Sequence, residues 1–139
     1  MRICITLSLL LLLGSCSPTK TISSSSPNSM NGTWMPIKQE MSGMALPELV
    51  YKAQRLIIKD STYTLTAESI DKGIVKLNGD KMDIYGKEGV NSGKHFTGLY
   101  KLEAGQLTVC YNLKGDKYPD SFDTKGKPMY FMSVFKKVE

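Results

Sequence analysis

Few residues in this chain of 139 have side chains suited to catalysis or metal binding. There are three cysteines and a single histidine, His95. Zinc takes three or four protein ligands, so this set predicts no metal site. The sequence has no G-x-S-x-G turn, no P-loop and no H-E-x-x-H pair, and no local pattern orients His95 in a Ser-His-Asp triad. We therefore expect a non-catalytic protein without a cofactor, with His95 at a barrel rim or a strand start.

Cys110 lies in the alternating run LTVCYN. In a strand, it would face away from Leu107, Val109 and Tyr111. A lone cysteine in a strand is usually a small buried apolar residue, whereas a reactive thiol needs positive charge close by. We expect Cys110 to be a buried wall residue.

The N-terminus has the pattern of a lipoprotein signal. Arg2 is followed by an uncharged, mostly apolar run over residues 3–13. This run is shorter than the roughly 20 residues that a membrane-spanning helix needs, and it fits the apolar core of a signal peptide. The sequence LGSC, ending at Cys16, resembles a bacterial lipobox, in which the cysteine receives acyl chains such as palmitate. The alternative is an ordinary secretory signal with a chance cysteine.

The predicted organisation has three parts: a signal peptide over 1–15, a lipidated Cys16 with a Ser-rich flexible tether over 16–30, and a folded domain over 31–139. The tether has four consecutive serines and two prolines, with little to bury. Ser17, where an Asp often signals inner-membrane retention, favours the outer membrane facing the periplasm. We therefore expect a lipid anchor to a membrane of the cell envelope, and only Cys110 left as a free thiol.

The composition is that of an ordinary soluble domain, with 41% hydrophobic and 22% charged residues. The formal net charge is +5. The lysines are spread through predicted turns, at Lys72, Lys81, Lys114, Lys117, Lys125 and Lys127. Because they form no basic stripe with interleaved aromatic residues, we expect no nucleic-acid partner. A basic surface could face anionic lipid or an acidic glycan, or could simply be solvated.

From residue 31 onward, apolar residues alternate in short runs, which is typical of strands. Eight strands are predicted, over 33–41, 54–59, 62–67, 73–77, 81–85, 95–102, 106–112 and 129–138. Pro36 cannot donate a backbone hydrogen bond, so it belongs at an edge, an entry or a bulge. Pro47 and Glu48 suit a helix start, which predicts one short helix over 46–53. The fold is therefore predicted to be all-β.

Two segments of the chain, 73–86 and 98–111, align without gaps at an offset of 25. Each segment is predicted to form two strands joined by a tight turn, at 78–80 in the first and at 103–105 in the second. Alternation predicts that Leu77 and Leu102 point inward and that Lys76 and Lys101 point outward. Such hairpins tend to close into a barrel, because closure removes exposed edges. We expect an antiparallel up-and-down barrel of about eight strands.

The run Gly32-Thr33-Trp34 at the first strand resembles the G-x-W signature of lipocalins. A longer ordered series also includes LP at 46–47, YTLT at 63–66, GLYKLEAGQLTVCYN at 98–112 and a Phe-rich last strand ending in KK. This series is similar to a family of uncharacterised bacterial lipocalin-like domains, abundant in planctomycetes and often lipoproteins. The resemblance covers roughly residues 31–137. The family has no established activity, so the resemblance predicts none for this chain.

The lipocalin resemblance implies structural roles for a few residues. Trp34, preceded by Gly32, would plug the barrel base. A basic side chain from the last strand, Lys136 or Lys137, would cover its ring. Lipocalins have an arginine there, and this chain has lysine.

The longest irregular stretch of the domain covers residues 114–128 and contains Tyr118 and Phe122. Long loops at a barrel mouth often carry binding, so these two residues are candidate ligand contacts. Alternatively, Phe122 plugs the barrel end. An eight-stranded barrel is either filled by side chains or holds one small ligand.

Two functions remain open at this point. The first is binding of a small apolar or amphipathic ligand in the barrel. The second is a protein-interaction module, of an inhibitor or immunity type, that uses the 114–128 loop. An open apolar lumen would favour the first, and a packed one the second.

Overall fold

The structure is a computed structural model, and it describes residues 27–138. The predicted signal peptide, the lipidation of Cys16 and the tether up to residue 26 lie outside the described residues. Pro27–Met30 form a 3-10 helix, and Met30 is 1% exposed within the hydrophobic core. The core therefore includes Met30, a residue that was predicted to belong to the flexible tether over 16–30.

Nine strands and one short α-helix follow. The strands are β1 (Gly32–Met41), β2 (Met44–Ala45), β3 (Arg55–Lys59), β4 (Thr62–Thr66), β5 (Ile70–Asn78), β6 (Lys81–Glu88), β7 (His95–Glu103), β8 (Gln106–Asn112) and β9 (Tyr130–Lys137). The helix, α1 (Glu48–Tyr51), lies inside the predicted segment 46–53. Within residues 27–138, no helix combines the length and apolar character needed to cross a membrane.

The strands form one closed antiparallel barrel. From β3 to β9, each strand pairs with the next along the chain, and β1 pairs with both β3 and β9. The two-residue strand β2 pairs only with the end of β1. Eight strands therefore close the barrel, which confirms the predicted all-β, antiparallel up-and-down architecture.

The two repeated hairpins have equivalent registers. Val75 pairs with Ile84 in the first, and Tyr100 pairs with Val109 in the second. Leu77 and Leu102 pack against the core, whereas Lys76 and Lys101 are exposed. The predicted inward and outward faces are confirmed.

A bulge in β1 changes which residues face the lumen. The pairing of β1 with β9 shifts between Pro36 and Lys38, so Ile37 is an extra residue. A bulge was one of the positions predicted for Pro36. In a regular strand, Trp34 and Gln39 would lie on opposite faces, because their positions differ by five, an odd number. The bulge lets both point inward.

Trp34 closes one end of the barrel. Its side chain is 1% exposed, and its Nε1 donates a hydrogen bond to the carbonyl of Met30 over 2.8 Å. Gly32, two residues earlier, has a φ of 139°, which glycine adopts far more readily than other residues. We call this end the base of the barrel.

Lys137, and not Lys136, covers the Trp34 ring. The Nζ of Lys137 lies 5.6 Å from the ring centroid. Lys137 pairs with Trp34 across β1 and β9, whereas Lys136 pairs with Met35. Because side chains alternate along a strand, only the lysine opposite Trp34 shares its face. This corrects the structural role assigned to Lys136.

Candidate ligand-binding site

The barrel encloses an open cavity of about 220 Å³. Most of its wall consists of Leu, Ile, Val, Met and Phe side chains, including Leu56, Val75 and Leu107. The polar lining residues are Gln39, Gln54, Tyr63, Asp71, Asn91 and Tyr111. The cavity therefore has an apolar body and a smaller polar part.

Most of this polar lining belongs to the end of the barrel opposite Trp34. Gln39 lies near the end of β1, Asp71 near the start of β5, and Tyr111 near the end of β8. Gln54 directly precedes β3, and Asn91 lies between β6 and β7. We call this end the mouth.

Several exposed apolar side chains also lie at the mouth end. They belong to β2, α1, the start of β5, the β6–β7 connection and the residue before β9. These residues, which we call the apolar rim, are Met44, Leu49, Val50, Ile70, Val90 and Met129. An apolar molecule approaching this end would meet side chains of its own character.

The Asp71 carboxylate is the centre of the polar part. Asp71 is 4% exposed. The Tyr63 hydroxyl donates to its Oδ2 over 3.0 Å, and Asn91 donates from its backbone N to Oδ1 over 3.1 Å and from its Nδ2 to Oδ2 over 3.0 Å. Burial, and then the hydrogen bond to Asp71, raise the pKa of the Tyr63 phenol. Tyr63 is therefore held as a donor.

Gly73 makes room for this arrangement. A Cβ at Gly73 would lie 2.1 Å from the Tyr85 carbonyl oxygen and 2.6 Å from Cε1 of Tyr63. Tyr63 pairs with Gly73 across β4 and β5. Because Gly73 has no side chain, the Tyr63 ring can lie against the β5 backbone, and its hydroxyl reaches Asp71 two residues earlier.

The connection between β6 and β7 brings Asn91 to the mouth. The amide of Gly86 donates to the Lys94 carbonyl over 2.9 Å, and the amide of Gly93 donates to the Gly86 carbonyl over 3.0 Å. These hydrogen bonds close the connection on itself. As a result, Asn91 meets Asp71, which lies twenty residues earlier in the chain.

Gln39 and Tyr111 supply further polar groups. The Nε2 of Gln39 donates to Oε1 of Gln54 over 2.8 Å and to Oγ of Ser133 over 3.4 Å. The Tyr111 ring stacks on Phe131, with centroids 5.7 Å apart, and burial raises the pKa of its phenol. No hydrogen bond joins the Tyr111 hydroxyl to another residue of the described range 27–138. This hydroxyl is therefore available to a bound molecule.

The 114–128 loop lies on the outer wall of the barrel. The Tyr118 hydroxyl donates to Oδ2 of Asp83 over 2.6 Å, and Nζ of Lys101 lies 5.3 Å from the Phe122 ring centroid. Asp83 and Lys101 project from the outward faces of β6 and β7. The loop starts and ends at the mouth, as expected, because it joins β8 to β9. Its two candidate residues lie against the outer wall, so Phe122 does not plug the barrel end. Neither Tyr118 nor Phe122 lines the cavity.

Cys110 is fully buried on the face of β8 that points away from the lumen. The loop covers this face: Asn112 donates to the Lys117 carbonyl over 2.9 Å, and Thr97 donates to the same carbonyl over 2.6 Å. Burial raises the pKa of the Cys110 thiol to about 11. The interpretation of Cys110 as a buried wall residue is confirmed.

His95 begins β7 and belongs to an outer cluster. Its Nε2 lies 2.7 Å from Oδ1 of Asp83, and its ring stacks on Tyr85 with centroids 4.6 Å apart. Burial acts to raise the pKa of Asp83, but hydrogen bonds from Tyr118 and His95 outweigh it and lower that pKa. The cluster thus attaches the loop to the wall, outside the cavity.

Metal-ligating side chains do not gather in the described part of the chain. Across residues 27–138, no three His, Cys, Asp or Glu side chains come together in a way that could hold a metal ion.

No protein-family model and no curated protein match the sequence, so membership of the planctomycete-type family stays a prediction. Among solved structures, the chain is similar to a point mutant of the fluorescent protein UnaG. The identity is 16% over 81% of this chain and 98% of that chain, with a TM-score of 0.42. Nothing about a ligand follows from a likeness at this level.

Proposed function

We propose that this protein binds one small apolar or amphipathic molecule inside its barrel and has no catalytic activity of its own. The observation that supports this most directly is the cavity of about 220 Å³, which stays open although Trp34 seals the base. Protein interiors are close-packed, so an open lumen is costly unless an occupant fills it. Of the two functions that the sequence left open, the cavity favours ligand binding.

The cavity volume limits the size of the occupant. An apolar cavity of roughly 150 Å³ holds benzene, which has six carbon atoms. In proportion, the present cavity would enclose about nine non-hydrogen atoms. A longer ligand would extend through the mouth, where it would contact the apolar rim.

We further propose that the protein works from a lipid anchor in the cell envelope, at the outer membrane facing the periplasm. This rests on the lipobox-like sequence that ends at Cys16. The chain enters the barrel at the base, where Met30 contacts Trp34. The mouth lies at the opposite end of the barrel, so a tether attached at the base would leave the mouth free.

Native mass spectrometry of the protein purified from its own host tests the ligand-binding proposal. We expect a retained small molecule. A Leu65→Trp variant should lose it, because Leu65 lines the cavity and a larger side chain would fill the lumen. Thr64→Trp is the matched control, since Thr64 lies on the same strand and alternates to the outside.

Two results would count against ligand binding. One is a retained molecule that survives Leu65→Trp unchanged, which would place it outside the lumen. The other is a co-purified protein that is lost when Tyr118 and Phe122 are both replaced by Ala, with no small molecule present. That second result would favour the protein-interaction alternative.

A further inference from the structure

The charged groups that line the cavity are few and of one sign. Among residues 27–138, no Lys, Arg or His lines it, and Asp71 is the one carboxylate in its lining. The ion pairs of residues 27–138 do not include Asp71. The lumen therefore presents one buried negative group without a cation of its own.

We propose that the bound molecule carries a hydrogen-bond donor at its polar end, that a primary ammonium group fits best, and that the cavity discriminates against carboxylates. This inference rests on the proposed function, because it names the chemical class of the ligand in the same cavity. Its first support is electrostatic. A buried charge is stabilised by an opposite charge close by, and the attraction is stronger in an apolar interior than in water.

The hydrogen bonds of Asp71 leave room for one more donor. A carboxylate has about four acceptor positions. Three are occupied, one on Oδ1 by the backbone of Asn91 and two on Oδ2 by Tyr63 and the Asn91 side chain. The free position lies on Oδ1. An ammonium or hydroxyl group can fill it, whereas a ligand carboxylate would bring a second negative charge to the same place.

Other polar groups of the lining accept as well as donate. The Tyr111 hydroxyl has no partner among residues 27–138, and a phenol can both donate and accept. The Nε2 of Gln39 is engaged by Gln54 and Ser133, so its Oε1 is the part of that amide left to accept. An ammonium group has three donors to distribute. Within the part of the chain that the structure describes, the polar part of the cavity thus offers several acceptors and no cation.

Three probes of matched chain length test this inference: octylamine, octan-1-ol and octanoate. Each would be titrated by calorimetry into the full chain held in amphipol, so that no detergent competes. We expect octylamine to bind at least about tenfold more tightly than octan-1-ol, since both can donate a hydrogen bond to Asp71 but only the ammonium adds the attraction between opposite charges. Octanoate should bind most weakly of the three.

An Asp71→Asn variant should remove the preference for octylamine over octan-1-ol and relieve the discrimination against octanoate. The matched control is Asp80→Asn, which removes the same charge from an exposed turn at the base. Partition of the probes into amphipol is common to both variants and cancels in the comparison. Tyr111→Phe keeps the lumen and Asp71, and it should weaken octylamine and octan-1-ol by a few fold each.

The outcomes separate this inference from the proposed function. Butylbenzene, a neutral apolar probe, reports on the cavity alone. If it binds while octanoate equals or exceeds octylamine in the wild-type chain, the ligand class is overturned and ligand binding stands. If neither butylbenzene nor any octyl probe binds, the proposed function fails and the ligand class fails with it. Should Asp71→Asn not fold, the order of the three probes on the wild-type chain still decides.

Discussion

The Tyr63 hydroxyl donates to Oδ2 of Asp71 over 3.0 Å and so joins β4 to β5 inside the lumen. Both residues are buried, and the bond needs the open space above Gly73. It gives a carboxylate in an otherwise apolar barrel a protein donor. The same contact therefore contributes to stability and shapes the candidate binding site.

Removing this hydroxyl should destabilise the fold. We expect Tyr63→Phe to lower the free energy of unfolding by about 1.5–3 kcal/mol, the usual range for a hydrogen bond to a charged group. Urea denaturation measures the change. Tyr85→Phe is the matched control, because Tyr85 lies on the outer wall, and a change within about 0.5 kcal/mol is expected there. Equal effects of the two variants would contradict the role given to Tyr63.

Trp34 should be the most costly single side chain to truncate at the base. We expect Trp34→Ala to lower the free energy of unfolding by about 3–5 kcal/mol, the usual penalty for a buried large aromatic residue. That is a large share of a typical stability of about 5–15 kcal/mol. Thermal melting checks it, and near-wild-type melting would contradict the base packing.

The two lysines at the end of β9 should differ. Lys137 lies over the Trp34 ring, so Lys137→Ala should lower the free energy of unfolding by about 0.5 kcal/mol, as for a partly exposed cation–π contact. Lys136→Ala should have no measurable effect. A larger loss from Lys136→Ala in the same denaturation series would show that the other lysine covers the ring.

The outer cluster around Asp83 should make the free energy of unfolding depend on pH in the acidic range. Hydrogen bonds from Tyr118 and His95 lower the pKa of Asp83 below its usual value of 3.8. A lowered pKa means that the folded state favours the ionised carboxylate of Asp83. The resulting stabilisation is fully present at pH values above the usual pKa of the group. It is lost as the pH falls through the lower pKa that Asp83 has in the folded protein. Urea denaturation over a series of acidic pH values measures it.

The variant Asp83→Asn should flatten this acid dependence, with Asp80→Asn as a control in an exposed turn. Hydrogen exchange of the 114–128 loop should also speed up in Asp83→Asn, because the partner of Tyr118 changes. If the loss of unfolding free energy at acidic pH is the same in Asp83→Asn, a group other than Asp83 is responsible for it.

Lipidation at Cys16 is a prediction from the sequence that labelling can decide. Cys16→Ser should abolish incorporation of labelled palmitate and release the protein from membranes. A Cys110→Ser variant is the control, since Cys110 is buried in the barrel wall and should leave labelling intact. Persistent labelling of Cys16→Ser would rule out this lipobox assignment.

Much of the barrel could be predicted from local pattern. The alternation of apolar residues put Leu77 and Leu102 inside and Lys76 and Lys101 outside, because strand side chains repeat with period two. Turn residues such as Gly79 set the ends of the hairpins. These are properties of neighbouring residues, so they can be read without knowing the fold.

The candidate site could not be predicted in the same way. Strand β5 was predicted to begin at Gly73, which left Asp71 outside it, although Asp71 is in phase with Val75 and Leu77. That phase was the one available signal for an inward carboxylate. Its partners Tyr63 and Asn91 lie on β4 and in a separate connection, and only the pairing of strands brings them together.

By itself, the sequence determined the all-β class and the hairpin registers, since both depend on local backbone chemistry and side-chain period. It left the bulge at Pro36 as one of three options, and the buried place of Trp34 was implied by the lipocalin resemblance. The tertiary structure alone decided three other features: Lys137 rather than Lys136 over the ring, the 114–128 loop on the outer wall, and an open lumen with Asp71 at its polar end. Each of these depends on closure of β1 against β9 and on contacts between residues far apart in the chain. Local patterns do not encode such distances.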